Sequence, residues 1–280
     1  MFLFLASLAC VAAAETGTNA PCQDSKQSPH LTQRAWVDGD RHCSYRDNVV
    51  FESHTREFDR MDGTDGGDPL YYNSPNDVVV DRAGNSWFTD PAYAYYQGLV
   101  PNRTLGDWVW RVDATTGRAT PVADGFSRPN GLAFSPDERT LYVTDSGFAT
   151  GRGHEMDVSG PRRVEAFTVV KKRILTNRRL LHVVDTGIPD GIKIDARGRL
   201  YVGCGDGVHV LSRDGELLGK IKLPGKDPAA NLAFGKGNHR STLYVLDETS
   251  VTAVELPGTR GARVGRERKF DVGRVRYKYT

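Results

Sequence analysis

Short alternating apolar segments, each preceded by a polar residue, recur four times between Asn76 and Glu248. Each copy continues as a strand, turns on Asp and Gly, and ends in a second strand that is rich in aromatic residues. The copies begin with Asn76-Asp77-Val78, Asn130-Gly131-Leu132, Asp190-Gly191-Ile192 and Asn231-Leu232-Ala233. The leading residues are separated by 130−76=54, 190−130=60 and 231−190=41 positions. Alternation with period two at such spacings predicts the blades of an all-β propeller.

The four leading residues, Asn76, Asn130, Asp190 and Asn231, are candidates for one shared site. The innermost strand of every propeller blade lines a central channel, so residues at the same phase of successive repeats converge on one axis. Three amide oxygens and one carboxylate suit calcium or magnesium better than a metal that prefers thiolate or imidazole. An Asn or Asp followed by Gly also suits a turn, so for any single copy both interpretations stay open.

Composition is consistent with one large domain. The chain has 280 residues, and no low-complexity linker interrupts residues 45–256. Its 30 Gly, 14 Pro and 39% apolar residues are typical of a turn-rich, soluble β protein. There is no second apolar segment that could span a membrane, and the net charge of +2 gives no indication of nucleic-acid binding. We therefore expect a monomer without a nucleic-acid or membrane partner.

The N-terminus predicts secretion. Residues 1–14 are short and apolar and end in small residues, which is typical of a signal peptide cleaved near Ala14, although no Lys or Arg precedes the apolar run. A buried first strand is the alternative. The sequon Asn102-Arg103-Thr104 is consistent with a secreted glycoprotein.

Three cysteines would remain after cleavage: Cys22, Cys43 and Cys204. Cys22 and Cys43 are able to pair in an oxidising compartment, which leaves Cys204 single at the end of a strand. Three unpaired thiols are the alternative.

Several longer motifs resemble those of a known family. They are Asn73-Ser74-Pro75-Asn76-Asp77-Val78-Val79-Val80, Trp87-Phe88-Thr89-Asp90-Pro91-Ala92-Tyr93, Arg128-Pro129-Asn130-Gly131-Leu132-Ala133-Phe134-Ser135-Pro136-Asp137-Glu138, Pro189-Asp190-Gly191-Ile192-Lys193 and Gly203-Cys204-Gly205-Asp206-Gly207-Val208-His209-Val210. In order and spacing they closely resemble the gluconolactonase and regucalcin-like family, over roughly residues 45–256.

The resemblance implies a six-bladed propeller with one divalent cation on the axis, usually Ca²⁺ and in some members Zn²⁺ or another ion such as Mg²⁺. Members typically hydrolyse lactones of sugar acids or of related hydroxy acids. By motif, Asn130 and Asp190 match two metal ligands, and Asn76 matches the Asn that lies beside the metal. Asp190 also matches the residue that serves as general base in many family mechanisms.

This chemistry is consistent with the residues themselves. A lactone carbonyl bound to a divalent cation is polarised, and the same charge stabilises the oxyanion formed by water attack. A neighbouring carboxylate can accept the proton of the attacking water. Asp190 is the only acid among the four leading residues, so we expect Asp190→Asn to abolish turnover while the fold survives.

The aromatic segment Pro91-Ala92-Tyr93-Ala94-Tyr95-Tyr96-Gln97-Gly98 follows the end of a predicted strand. We expect it to form a rim that selects substrates, so that Tyr93 joins Asn76 and Asn231 as a substrate-binding residue. Packing between blades is the other account of these aromatic residues, and it applies at least as well to Trp108 and Trp110, which alternate in a strand.

The sequence departs from the family pattern at its N-terminal side. Members carry a Glu-Gly-Pro motif whose Glu completes the metal site, and none occurs before Asn76. Either the chain is N-terminally shortened, with the first blade or more missing or degenerate, or another acid completes the site. The candidate acids are Glu52, Glu57 and Asp68, each of which is more simply a solvated charge. Open blade edges would also invite self-association.

The predicted organisation is a signal peptide at 1–14, an irregular lead at 15–42, the propeller at 43–256 and a basic tail at 257–280. The expected function is divalent-metal-dependent opening of small lactones by a secreted protein. The alternative is a catalytically weak or inactive truncated propeller that binds calcium or a small ligand. A propeller of the phosphotriester-hydrolysing or strictosidine-synthase-like kind is a further rival, since it shares the architecture.

Overall fold

A computed structural model of the protein describes residues 71–103, 105–153, 155–225 and 227–262. The predicted signal peptide, the irregular lead, most of the basic tail, Cys22, Cys43 and the three candidate acids all lie outside the described residues. What the sequence predicts for these residues therefore stays a prediction.

The described chain forms four antiparallel sheets, each built from strands that follow one another in the sequence. Blade 1 contains β1 (Val78–Val80), β2 (Ser86–Asp90), β3 (Trp108–Val112) and β4 (Ala119–Ala123). Blade 2 contains β5 (Pro129–Phe134), β6 (Thr140–Asp145), β7 (Arg163–Val170) and β8 (Ile174–Val183). Blade 3 contains β9 (Ile192–Ile194), β10 (Leu200–Cys204), β11 (Gly207–Leu211) and β12 (Leu217–Ile221). Blade 4 contains β13 (Asn231–Phe234), β14 (Thr242–Leu246) and β15 (Val251–Glu255).

The first strands of successive blades lie side by side, β1 against β5, β5 against β9 and β9 against β13. This is the arrangement of propeller blades around an axis, so the predicted all-β propeller class is confirmed for these four sheets. Each predicted repeat supplies the first two strands of one blade. That the fold is of the six-bladed type, with its first blade missing or degenerate, stays a prediction.

The turns between the first two strands of blades 1 and 3 show why the repeat carries Asp and Gly. Asp81 accepts the amide of Asn85 at 2.9 Å through its carboxylate, and its carbonyl accepts the amide of Gly84. Asp195 and Gly198 repeat this turn in blade 3. The φ angles of Gly84 and Gly198 are +94° and +84°, a region that favours glycine over other residues.

Aromatic residues at the same phase of successive repeats join neighbouring blades. Trp87 of β2 meets Phe134 of β5 edge to face at 5.3 Å between ring centroids. Tyr201 of β10 meets Phe234 of β13 in the same way at 5.2 Å. Each such pair adds about 1 kcal/mol beyond the burial of its rings, so the aromatic end of the repeat holds the blades together.

The glycines after Asn130 and Asp190 are not turn residues, so the turn interpretation is wrong for these two copies. Gly131 lies within β5, and neither Gly131 nor Gly191 has a positive φ. A Cβ on Gly131 would come within 2.6 Å of the Asp190 carbonyl, and one on Gly191 within 2.3 Å of the Asn231 side-chain oxygen. Glycine stands here because the inner strands of adjacent blades approach closely.

Helical structure is minor in the part of the chain that the structure describes. Helix α1 (Tyr93–Tyr96) follows β2, and a 3-10 turn covers Gly237–His239. No helix among the described residues has the length and apolar character needed to cross a membrane.

Candidate functional site

Asn130 and Asp190, from the inner edges of blades 2 and 3, lie against each other. The Asn130 amide lies within hydrogen-bonding reach of the Asp190 carboxyl. Its nitrogen donates to the hydroxyl of Ser146 at 3.2 Å. Because the nitrogen faces Ser146, the oxygen Oδ1 is the atom of Asn130 that can bind a further group.

The surroundings of Asp190 disfavour its charge. The residue is partly exposed, yet the protein atoms around the carboxyl exclude enough water to raise its pKa well above the usual range. The nearby carboxylate of Asp77 raises the pKa further, while the hydrogen bond from Asn130 and the charge of Lys193 lower it. No described group therefore fully compensates a negative charge on Asp190.

An ion pair crosses the axis between blades 1 and 3. The ammonium of Lys193 lies 3.4 Å from Oδ2 of Asp77 and donates to the Ile192 carbonyl at 3.0 Å. Oδ2 of Asp77 also accepts the amide of Leu132 in blade 2 at 3.2 Å. The nearly fully buried Asp77 carboxylate thus ties three blades together. Sequence reasoning missed both residues, although a lysine between Ile192 and Ile194 in an inner strand was an available signal.

Two buried threonines hold the leading residues in place. Thr89 donates its hydroxyl to the carbonyl of Asn130 at 2.6 Å, and Thr144 donates to the carbonyl of Asp190 at 2.7 Å. Each threonine is the next-to-last residue of the second strand of one blade and bonds the leading residue of the next repeat. This repeated bond sets the leading residues at one level of the axis.

Asn76 and Asn231 lie at the same level, with different contacts. The Asn76 backbone amide donates to the Thr89 carbonyl at 2.9 Å, and the hydroxyl of the same Thr89 bonds the Asn130 carbonyl. The Asn231 side-chain oxygen accepts its neighbour Leu232 amide at 2.7 Å and lies against Gly191. The structure therefore joins Asn130 to Asp190 directly, Asn231 through packing and Asn76 through the backbone.

Tyr93 enters the same site from helix α1. Its ring is 3% exposed and packs against Gly151, so packing accounts for the ring. Burial raises the pKa of Tyr93 far above the usual range, and the charge of Asp190 raises it further. The predicted rim residue thus lies within electrostatic reach of Asp190.

A second cluster of possible ligands lies in blade 3, away from the axis. The ligand atoms of Asp185, Asp206 and His209 all lie within 4.8 Å of one another, a geometry that a divalent cation can use. Two lysines already occupy this cluster. Lys220 lies 2.7 Å from Asp185 and 3.1 Å from Asp206, and Lys222 lies 2.6 Å from Asp206. The lysine contacts hold the pKa of Asp206 well below the usual range despite its partial burial.

Comparison with known proteins finds one family model and relatives that are named as lactonases. The family model described as "SMP-30/Gluconolactonase/LRE-like region" matches residues 42–249. A gluconolactonase of Zymomonas mobilis is 33% identical over 194 residues, which are 65% of this chain and 50% of that protein. A lactonohydrolase of Aspergillus oryzae is 30% identical over 66% of this chain and 44% of its own length. The chain spans about half the length of these curated relatives.

Among solved structures, a gluconolactonase of Xanthomonas campestris superposes with a TM-score of 0.57 at 32% identity, over 67% of this chain and 59% of that one. The four blades and the family match over residues 42–249 agree with one another. The chain belongs to the SMP-30/gluconolactonase/LRE-like family.

Proposed function

We propose that this protein is a secreted hydrolase that opens small lactones of sugar acids or related hydroxy acids with the help of one divalent cation. The observation that carries the proposal is the close approach of Asn130 and Asp190 on adjacent inner edges of a lactonase-family propeller, where Gly131 packs against the Asp190 carbonyl and Thr144 bonds it. Relatives that are named gluconolactonase and lactonohydrolase support the substrate class.

The donor set fits a hard divalent cation, most simply Ca²⁺, with Zn²⁺ or Mg²⁺ as other candidates. Oδ1 of Asn130 and the carboxylate of Asp190 would hold the ion, with Asn76 beside it, and all three offer oxygen. The raised pKa of Asp190 is consistent with this assignment, because a partly buried acid without a compensating charge is stabilised in its ionised form by a bound cation. When bound, the cation would polarise the lactone carbonyl.

The residues of the chain would supply the remaining steps. Asp190 would accept the proton of the attacking water, as a carboxylate within hydrogen-bond reach of that water can do. Tyr93, Asn76 and Asn231 would contact the ring and hydroxyl oxygens of the substrate. Pre-placed neutral donors of this kind orient a small ligand without adding charge.

A catalytically weak propeller that binds calcium or a small ligand is the second candidate. The specific observation in its favour is again Asp190, since burial raises its pKa and so opposes the ionised form that a general base needs. The two candidates differ in turnover and agree in ligand binding.

Assays of the purified full chain separate these functions. Hydrolysis of aldonolactones and of pantolactone is measured with added Ca²⁺, Mg²⁺ or Zn²⁺ and with a chelator, and thermal unfolding is followed under the same conditions. The proposal expects turnover that disappears with chelator and returns with the cation. Cation-dependent melting without turnover on any lactone supports the binder instead, because a bound ligand raises the melting temperature without chemistry. If the protein shows neither turnover nor cation-dependent melting, both candidate functions are refuted.

Secretion is tested separately. Expression with the native N-terminus in a secreting eukaryotic host is expected to yield protein in the medium that starts after Ala14 and carries a glycan on Asn102. Retention of the full-length chain inside the cell would contradict this part of the proposal.

A further inference from the structure

Ser146 lies at the centre of the candidate site although no motif pointed to it. It follows directly after β6 and is completely buried. Its backbone amide donates to the Arg128 carbonyl at 3.0 Å, which fixes the backbone at this point. Its hydroxyl contacts two parts of the site: the Asn130 amide nitrogen at 3.2 Å and the Pro189 carbonyl at 2.5 Å.

The other blades place different residues after the second strand. Pro91 follows Asp90 in blade 1, and Gly205 follows Cys204 in blade 3. Neither has a side-chain hydroxyl. Of blades 1, 2 and 3, only blade 2 therefore has a hydroxyl after its second strand, and this hydroxyl bridges Asn130 and Pro189.

The polarity of these bonds is fixed by the Pro189 carbonyl. A serine hydroxyl has one hydrogen and two lone pairs, and a carbonyl can only accept. The hydrogen of Ser146 must therefore point to Pro189, which leaves only acceptor capacity toward Asn130. If the Asn130 amide were turned by half a rotation, its oxygen would face the lone pairs of Ser146, and this contact would be repulsive.

We propose that Ser146 is a positioning residue for the Asn130 side chain. It locks this side chain with its nitrogen toward Ser146 and Asp190 and its oxygen toward the axis. Through its bond to the Pro189 carbonyl, Ser146 also holds the Pro189–Asp190 segment close to Asn130. This inference rests on the proposed function for its catalytic meaning, since it is Oδ1 of Asn130 that would bind the cation. The orientation itself is a property of the protein alone. Groups that orient metal ligands commonly change metal affinity by about 10- to 100-fold when they are removed.

The first test uses Ser146→Ala, with Ser135→Ala as the matched control. Ser135 is also a buried serine whose hydroxyl is hydrogen-bonded, in this case to Asp137 and the Thr140 amide in the β5–β6 turn, away from the site. Calorimetric titration with Ca²⁺ is expected to show affinity weakened about 10- to 100-fold in Ser146→Ala and unchanged in Ser135→Ala. Equal affinity in Ser146→Ala and the wild type would overturn the inference.

A second measurement does not depend on any cation or on activity. The side-chain NH₂ signals of Asn130, assigned by their loss in Asn130→Ala, are followed by ¹⁵N NMR spectroscopy. In the wild type both hydrogens are expected to exchange slowly with solvent, and in Ser146→Ala the signals should shift and exchange faster. Rapid exchange in the wild type would refute the lock, even if Ser146→Ala did not fold.

The two measurements also separate the two proposals. A wild-type protein that binds no cation and hydrolyses no lactone, but shows a protected Asn130 amide that depends on Ser146, would refute the proposed function and leave the lock intact. If the protein binds the cation but the exchange of the Asn130 amide hydrogens is the same in Ser146→Ala, the lock is refuted and the proposed function stands.

Discussion

Asp190 and Asp206 are acids of the same blade with opposite surroundings. Asp190 faces a neutral amide and a second acid, and its pKa is raised well above the usual range. Asp206 faces Lys220, Lys222 and His209 at 3.1, 2.6 and 2.7 Å, and its pKa is lowered. The charge of Asp190 is only partly compensated, by Lys193, while Asp206 has several compensating partners.

The difference shows that closely spaced ligand atoms do not by themselves indicate an ion site. The Asp185–Asp206–His209 cluster has suitable spacing, but a cation that entered it would have to displace two ammonium groups. At the axis, the only described charge that opposes Asp190 is Lys193, which is already paired with Asp77. A partly buried acid without full compensation is costly, and this cost is what an added cation would remove.

The strongest test of the comparison is Asp190→Asn. We expect turnover to fall by at least about 10²- to 10⁴-fold, because the variant loses the proposed base, and cation affinity to fall as well. In the presence of chelator the melting temperature should stay equal or rise, since the variant no longer places an acid in surroundings that disfavour its charge. Kinetics, calorimetry and thermal unfolding measure the three effects. Unchanged turnover would remove Asp190 from the mechanism.

Removing Lys193 should act in the opposite direction on the axial site. In Lys193→Met the carboxylate of Asp77 keeps its amide bonds but loses its ion pair. Binding of a cation should become about three- to tenfold tighter, on the order of 1 kcal/mol, because a positive charge near the ion is gone. Stability in chelator should fall by about 1–2 kcal/mol, since a buried carboxylate loses its partner.

Lys193→Arg is the control for this prediction, because it preserves the charge and should leave cation affinity close to that of the wild type. Weaker cation binding in Lys193→Met would show that the ion pair supports the site through its shape rather than through its charge.

How far the sequence predicts this comparison depends on the kind of contact. The spacing of the repeats predicted that Asn130 and Asp190 lie at one level of the axis, because phase within a strand follows from alternation. The bonds from Thr89 and Thr144 to the next blade follow the same repeat. A reader of the sequence could have found them as polar residues at equivalent strand ends.

The remaining contacts could not be predicted from periodicity. Ser146 meets Pro189 across 43 positions, and Lys220 meets Asp185 across 35. Such contacts decide whether the pKa of an acid is raised, as in Asp190, or lowered, as in Asp206. The alternation of residues along a strand does not predict them. The turn interpretation of Gly131 was wrong for a related reason, since the need for glycine there comes from the neighbouring blade.

Asp206→Asn is the matched substitution in the outer cluster. Its effect should fall on stability, with a loss of about 1–2 kcal/mol in the free energy of unfolding measured in urea, because Lys220, Lys222 and His209 lose a charged partner. Turnover and cation affinity should stay within about twofold of the wild type, a change below ~0.5 kcal/mol. A large loss of cation affinity in Asp206→Asn with little loss in Asp190→Asn would move the ion site from the axis to the outer cluster.

The smallest expected effect concerns pH and the histidine beside that cluster. The Nδ1 atom of His182 bonds the Gly215 carbonyl at 3.1 Å, and its ring meets His209 edge to face at 6.4 Å. Burial lowers the pKa of His182, the charge of a protonated His209 lowers it further, and the Gly215 bond and Asp185 oppose the shift. The folded protein therefore takes up this proton at lower pH than the unfolded chain does.

Because the unfolded state protonates first, the stability contribution of His182 is fully present above its unfolded pKa of about 6.5 and is lost as the pH falls toward the folded pKa. The urea midpoint of the wild type should decrease between pH 7.5 and pH 5. In His182→Gln, which keeps a side-chain donor for Gly215, this decrease should be smaller. If the urea midpoint depends on pH equally in the two proteins, the outer cluster accommodates a protonated His182 without cost. The outer cluster would then compensate charge on its histidine as well as on its acids, in contrast to the axis.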